Sequence, residues 1–269
     1  MPEKRNAMNL SDKDLADIKR AKDLLESPGF GMKITNLLAI PIGKGFEVLP
    51  SGWKGKIQTA SQKALATALH VALATVPGDQ KGESSDYLHK LAVMMSGAAG
   101  GAFGLPALTV ELPFTTTVML RSIADIARSE GEDLESPIGK LACLEVFALG
   151  GKSARDDGAE TGYFVIRAAL AKAVTDAFQY MAERGVVEEG APVLVRLIGQ
   201  IAARFGVVVS EKVAAEAVPI IGAVGGAMIN TVFMDHFQNM AHGHFIIRRL
   251  ERTYSPEMVK EAYMSLQGG

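Results

Sequence analysis

LAVMMSGAAGGAFGLPALTV (Leu91–Val110) and AVPIIGAVGGAMINTVFM (Ala217–Met234) are two stretches of twenty and eighteen residues without a charge. Both contain nearly the same core, Gly97–Ala102 and Gly222–Ala227. Gly97 and Gly101, Gly100 and Gly104, and Gly222 and Gly226 are each four residues apart, with Gly225 beside the last pair. On a helix that spacing makes a smooth groove into which a second backbone fits closely. The length of the first stretch matches a membrane span. Against spanning stand the glycines, Pro106 and Pro219, the weak transfer energy of Gly and Ala, and polar groups that follow at once. Those flanks are Glu111, Thr115 and Arg121 after the first stretch, and Asp235 and His236 after the second. The balance favours two close-packed central helices, able to part for a lipid chain. The flanks of the shared core diverge, so a duplication is not established.

Working outward, the remaining chain reads as helices. Ser11-Asp-Lys-Asp caps a first helix that ends at Ser27-Pro-Gly. Ile40 to Gly55 is a Gly/Pro-rich loop or broken helix holding Trp53. Helices follow over Ile57–Val76, from Ser84 or Ser85, from about Pro113 to Glu130, and from Pro137 to Gly150-Gly151. Others run from Ala159 to Arg184, from Pro192 to Phe205, from Ser210, and from Ser255-Pro-Glu to about Leu266. Gly206-Val-Val-Val is the one strand-like run, too short for a sheet. The expected fold is all-α: a multi-helix bundle with two central glycine-rich helices and no significant sheet. Residues 1–28 form an N-terminal helix or arm and residues 29–269 the main helical domain.

The chain has 269 residues, 48% hydrophobic but only 6% aromatic, which suits helices packed through small side chains. Net charge is −2, so there is no general electrostatic reason to bind nucleic acid. A single cysteine, Cys143, allows no internal disulfide and points to a reducing compartment. No apolar leader and no lipidation motif are visible. The expected location is therefore cytoplasmic, peripheral to the inner membrane where the chain meets lipid.

Candidate chemistry is sparse. Gly150-Gly-Lys-Ser153 resembles the end of a phosphate loop, but Val146 stands where the motif needs glycine and the context is helical. A helix C-cap explains it better. No cofactor motif is found. His236, Met240 and His244 share a helical face, and a metal-dependent hydrolase using Glu111 or Glu145 with these histidines is the alternative function. Histidines on a helix surface are the plainer explanation. Glu111 and Glu145 are isolated carboxylates in apolar runs and need partners, with Arg121, Arg167, Arg248 and Arg249 available. Thr115–Thr117 either bond a ligand or bond back to the preceding turn. Arg248, Arg249 and Arg252 make the segment after His244 cationic and amphipathic, suited to anionic headgroups or to acidic neighbours.

Three groups of residues together resemble the EcsC family of bacteria: Glu111-Leu-Pro-Phe-Thr-Thr with Arg121-Ser-Ile-Ala, Val218–Ala227 with Asn230, and His244-Phe through Glu251. Tyr163 and Arg167 in Gly162-Tyr-Phe-Val-Ile-Arg belong to the same pattern. The resemblance covers the chain from about Gly29 onward. It implies a helical protein of a kind encoded beside a membrane transporter. Some members carry a peptidase label, for which this sequence shows no protease constellation, so no catalytic residue carries over. The reading is a non-enzymatic accessory protein that meets membrane lipid or a membrane-protein partner. Its candidate functional cluster is Glu111, Thr115, Arg121, Asn230, Asp235, His236, His244 and Arg248.

Overall fold

A computed structural model describes residues 10–39, 41–75, 105–151, 162–184, 190–218 and 222–266. Gly97, Gly100, Gly101, Gly104, Pro219, the expected cap at Ser84 or Ser85, and Lys152-Ser153 lie outside the described residues. The described residues hold ten helices and no strand. They are α1 (Asp12–Leu25), α2 (Phe30–Leu38), α3 (Gly43–Glu47), α4 (Trp53–Thr75), α5 (Leu105–Ser129), α6 (Pro137–Leu149), α7 (Gly162–Arg184), α8 (Pro192–Glu216), α9 (Gly222–Thr253) and α10 (Pro256–Ser265). The all-α expectation holds.

Local chemistry sets several ends. Ser11 Oγ accepts from the Asp14 amide at the start of α1, Ser136 Oγ from Ile138 before α6, and Ser255 Oγ from Met258 before α10. The last two are followed by proline in the first turn, where its missing N–H is harmless.

Several boundaries differ from expectation: α2 is not among the expected helices, and α4 begins at Trp53 rather than Ile57. The helix expected from Pro113 begins at Leu105 and runs through Pro113, which removes one internal N–H without ending α5. The helix expected to stop at Phe205 continues through the strand-like Gly206–Val209 into α8. Val208 and Val209 are buried there, and packing outweighs their modest preference for strand. Ser210 caps nothing; its hydroxyl donates back to the Gly206 carbonyl at 2.6 Å. The second glycine stretch and the cationic segment are one helix, α9, 32 residues and about 48 Å long.

α9 is the spine. It packs against α1, α2, α5, α6, α8 and α10. The few aromatic residues gather along it: Phe147 of α6 lies 5.1 Å from Phe205 of α8, Phe205 lies 5.5 Å from Phe237, and Phe30 of α2 lies 5.5 Å from Phe233, ring centre to ring centre. All five are buried, and their tilted and edge-on contacts bind four helices at one level. Gly225 and Gly226 are buried at the start of α9. A close approach comes at Gly243, where an added Cβ would lie 2.6 Å from Leu25 Cγ of α1.

Among the described residues, α8 is the helix long and apolar enough to cross a membrane. It packs between α4, α6 and α7 and carries the fully buried Lys212.

Candidate functional site

The residues singled out in the sequence separate along the spine. Near the start of α9, Asn230 Nδ2 donates to Glu111 Oε1 of α5 at 3.3 Å. The partner of Glu111 is not an arginine. Lys212 of α8, with none of its side chain exposed, holds Glu111 Oε1 at 2.9 Å and Glu216 Oε1 at 2.6 Å. Burial opposes charge on Lys212, but Glu216 and Glu111 outweigh it and raise its pKa. Burial also raises the Glu216 carboxyl, with Lys212 acting against the rise. Arg121, expected as a partner, is exposed on α5. Thr115 and Thr116 are fully buried, and neither hydroxyl has a hydrogen-bond partner among the described residues. Thr117 bonds back to the Pro113 carbonyl at 2.8 Å.

Midway along α9, His236 is fully buried rather than on the helix surface, and its Nε2 lies 2.9 Å from the Gly150 carbonyl oxygen. Gly150 caps α6, and Arg204 of α8 donates to the carbonyls of Ala148 and Gly151. Gly150 and Gly151 of the phosphate-loop lookalike are thus a helix end held by carbonyl contacts. Asp235 is half-buried.

Toward its C-terminal end, α9 carries a second charged network. His244 is also fully buried, correcting its expected place on the surface. The Tyr163 hydroxyl of α7 lies 3.0 Å from His244 Nδ1 and accepts from Arg167 at 3.2 Å. Arg167 forks onto both Glu251 oxygens at 2.8 and 2.9 Å. Burial and the nearby Arg167 and Arg248 hold His244 well below the ordinary histidine range, so it is neutral. Its Nε2 faces Glu145 Oε2 of α6 at 3.9 Å. Burial pushes Glu145 up to about 6 against the pull of Arg167 and Arg248.

Arg248 and Arg252 both reach Glu132, and Arg249 joins Glu130 at 2.7 Å to Asp17 at 2.8 Å. The arginines of the cationic segment therefore hold acids of α1 and of the α5–α6 connection. Of the two roles open to them, pairing with neighbouring acids is the one the geometry displays. Among the described residues, no three His, Cys, Asp or Glu side chains are grouped to hold a metal ion. These networks tie α9 to α1, α5, α6, α7 and α8.

A different place is open. A cavity of about 890 Å³ is lined by Gly52, Gly55, Lys56, Thr59, Ala60 and Lys63 of the α4 region, with Leu108 and Thr109 of α5. Most of its lining surface is apolar. Residues 52, 55, 56, 59, 60 and 63 share one helical face, a period readable in the sequence but carrying no recognised motif. Beside it, Phe46 of α3 stacks on Trp53 at 5.4 Å, and Lys54 lies over the Trp53 ring. Lys44, Lys54, Lys56 and Lys63 are exposed, with Glu47 the one acid between Pro41 and His70. Lys44, Lys56 and Lys63 make no ion pair among the described residues.

The profile of the EcsC protein family matches residues 34–250. That span contains the cavity, the Glu111–Lys212 cluster and most of the Tyr163–His244 network. No curated protein and no solved structure matches the chain.

Proposed function

We propose that this chain, which belongs to the EcsC protein family, is a non-enzymatic accessory protein that docks on an anionic membrane surface. The observation that carries the reading is the basic, aromatic end of the bundle formed by α3 and the start of α4. Exposed Lys44, Lys54 and Lys56 stand there with the stacked Phe46 and Trp53, and exposed Lys63 follows two turns after Lys56 along α4. Near an anionic leaflet each lysine contributes about 1 kcal/mol of attraction. A tryptophan beside them suits the zone between headgroups and acyl chains. Val48, on the connection after α3, is 58% exposed, and Val110 and Phe114, one turn apart on α5, are 77% and 51% exposed, adding apolar surface for shallow insertion. The anionic potential lies on the cytoplasmic leaflet, so that face is the proposed location. The buried ion pairs of α9 fit a rigid scaffold better than a reaction centre, because each charge already has a partner.

Flotation with vesicles tests the proposal. The protein should rise with vesicles containing phosphatidylglycerol, stay behind with phosphatidylcholine alone, and detach as salt increases. Lys44→Glu with Lys54→Glu should abolish co-flotation while leaving the helical circular-dichroism signal intact. Failure of the unaltered protein to float with anionic vesicles overturns lipid docking. So does flotation only when a membrane protein has been reconstituted into the vesicles, which would assign the surface to a protein partner.

A further inference from the structure

We infer that the cavity between α4 and the start of α5 binds one single-chain amphiphile with a phosphate head. The inference deepens the membrane reading, which supplies the source of such a molecule, but the site is argued from its own geometry. A volume of about 890 Å³ falls at the upper end of small-ligand pockets. Its inner wall is apolar: Ala60 and Leu108 are buried, and Gly52 and Gly55 place no side chain in the space. An apolar cavity of this size gains most from an apolar guest.

The rim decides which guest. Lys56 and Lys63 are seven residues apart, two turns and about 10 Å along α4, on the face that lines the cavity. No carboxylate is among the described lining residues, and neither lysine has an ion-pair partner among the described residues. The buried and part-buried cations Arg167, Arg248, Arg249 and Lys212 each hold at least one acid, whereas exposed Lys44, like Lys56 and Lys63, makes no ion pair among the described residues. Two ammonium groups over an apolar cavity, with no carboxylate beside them among the described residues, match a head carrying nearly two negative charges, as a phosphate monoester does at neutral pH. A single acyl chain below that head fits a cavity of this volume.

Trp53 reports occupancy directly, because it is the protein's single tryptophan and is flanked by the lining residues Gly52 and Gly55. The probe is a lysophosphatidate with a brominated acyl chain, kept below its micelle concentration; bromine quenches tryptophan on close approach. Saturable quenching is expected. A monoacylglycerol with the same chain, which lacks the phosphate, should bind at least tenfold more weakly. Lys56→Glu with Lys63→Glu should remove that preference. Thr59→Phe fills the space from an exposed position and should abolish quenching with no change in melting temperature.

No saturable quenching, equal binding of the neutral probe, or quenching that survives Thr59→Phe would each overturn the site. Vesicle flotation separates this from the docking reading. Flotation without quenching by the monomeric probe removes the cavity site alone. Quenching without flotation removes membrane docking alone.

Discussion

The Lys212 ammonium lies 2.9 Å from Glu111 Oε1, joining α8 to α5 with no part of the lysine side chain exposed. Glu216 on the same helix completes a cluster of one cation between two carboxylates, and Asn230 ties it to α9. A buried pair of this kind gives little net stability relative to apolar residues, yet removing one partner is costly, because the remaining charges have no water to turn to. Lys212→Met should therefore destabilise the protein by about 3–5 kcal/mol in urea unfolding. Adding Glu111→Gln and Glu216→Gln to it should restore a substantial part. A single variant that loses under about 1 kcal/mol would show that the cluster is hydrated in solution.

Tyr163 plays a comparable part lower on the spine, where its hydroxyl stands between His244 Nδ1 and Arg167. Tyr163→Phe keeps the ring and its stacking but leaves His244 Nδ1 without that partner. The expected cost is about 1–3 kcal/mol, the penalty for orphaning a buried polar group. Thermal unfolding measures it, and an unchanged midpoint would mean that His244 has found another partner.

Two glycines predict opposite signs. At Gly243 an alanine methyl would sit 2.6 Å from Leu25 Cγ and 3.0 Å from the Ala21 carbonyl oxygen, so α1 must move off α9. Gly243→Ala should cost about 1–3 kcal/mol and speed amide exchange in α1 more than in α8. At Gly199 of α8 an added methyl meets nothing within 4 Å. Gly199→Ala should stabilise the protein by about 0.5–1 kcal/mol through the lower entropy of the unfolded chain. Equal effects of the two substitutions would contradict the packing described at Gly243.

The helix ends were legible because they are set locally: Ser11, Ser136-Pro137 and Ser255-Pro256 act on amides two or three residues away. The long-range polar contacts were not. Arg121 was one of four arginines available to Glu111 and Glu145, and the one nearest Glu111 in the chain. Ten residues on a helix leave the two side chains about 15 Å apart along the axis and about 80° apart in rotation. Lys212, a hundred and one positions away, arrives only when α8 packs. The histidines were misplaced for a related reason: a polar residue suggests surface, but α9 packs against six helices, and His236 meets the end of α6 while His244 meets Tyr163 of α7. The cavity lysines carried no signal at all, since a lysine every two turns of a helix is ordinary until the opposite wall is seen to be apolar.

Glu145 gives the protein a pH dependence that can be isolated. Burial raises its carboxyl from 4.5 to about 6, so the folded state holds this proton more tightly than the unfolded chain does. A raised carboxyl contributes stability that is fully present below about pH 4.5 and is lost as pH rises through about 6. The difference amounts to about 2 kcal/mol between the two ends of that window. His244 acts in the other direction: its depressed pKa contributes stability above the ordinary histidine range that declines as pH falls. The two partly cancel in the unaltered protein. Glu145→Gln removes the first and keeps the second. Relative to the unaltered protein, the variant should therefore be more favourable at about pH 7.5 than at about pH 4.5, by about 2 kcal/mol whatever its absolute stability. Urea unfolding of both proteins at the two pH values measures the change. A stability difference that does not vary with pH would mean that Glu145 titrates as an ordinary exposed carboxylate, and would contradict its burial against α7 and α9.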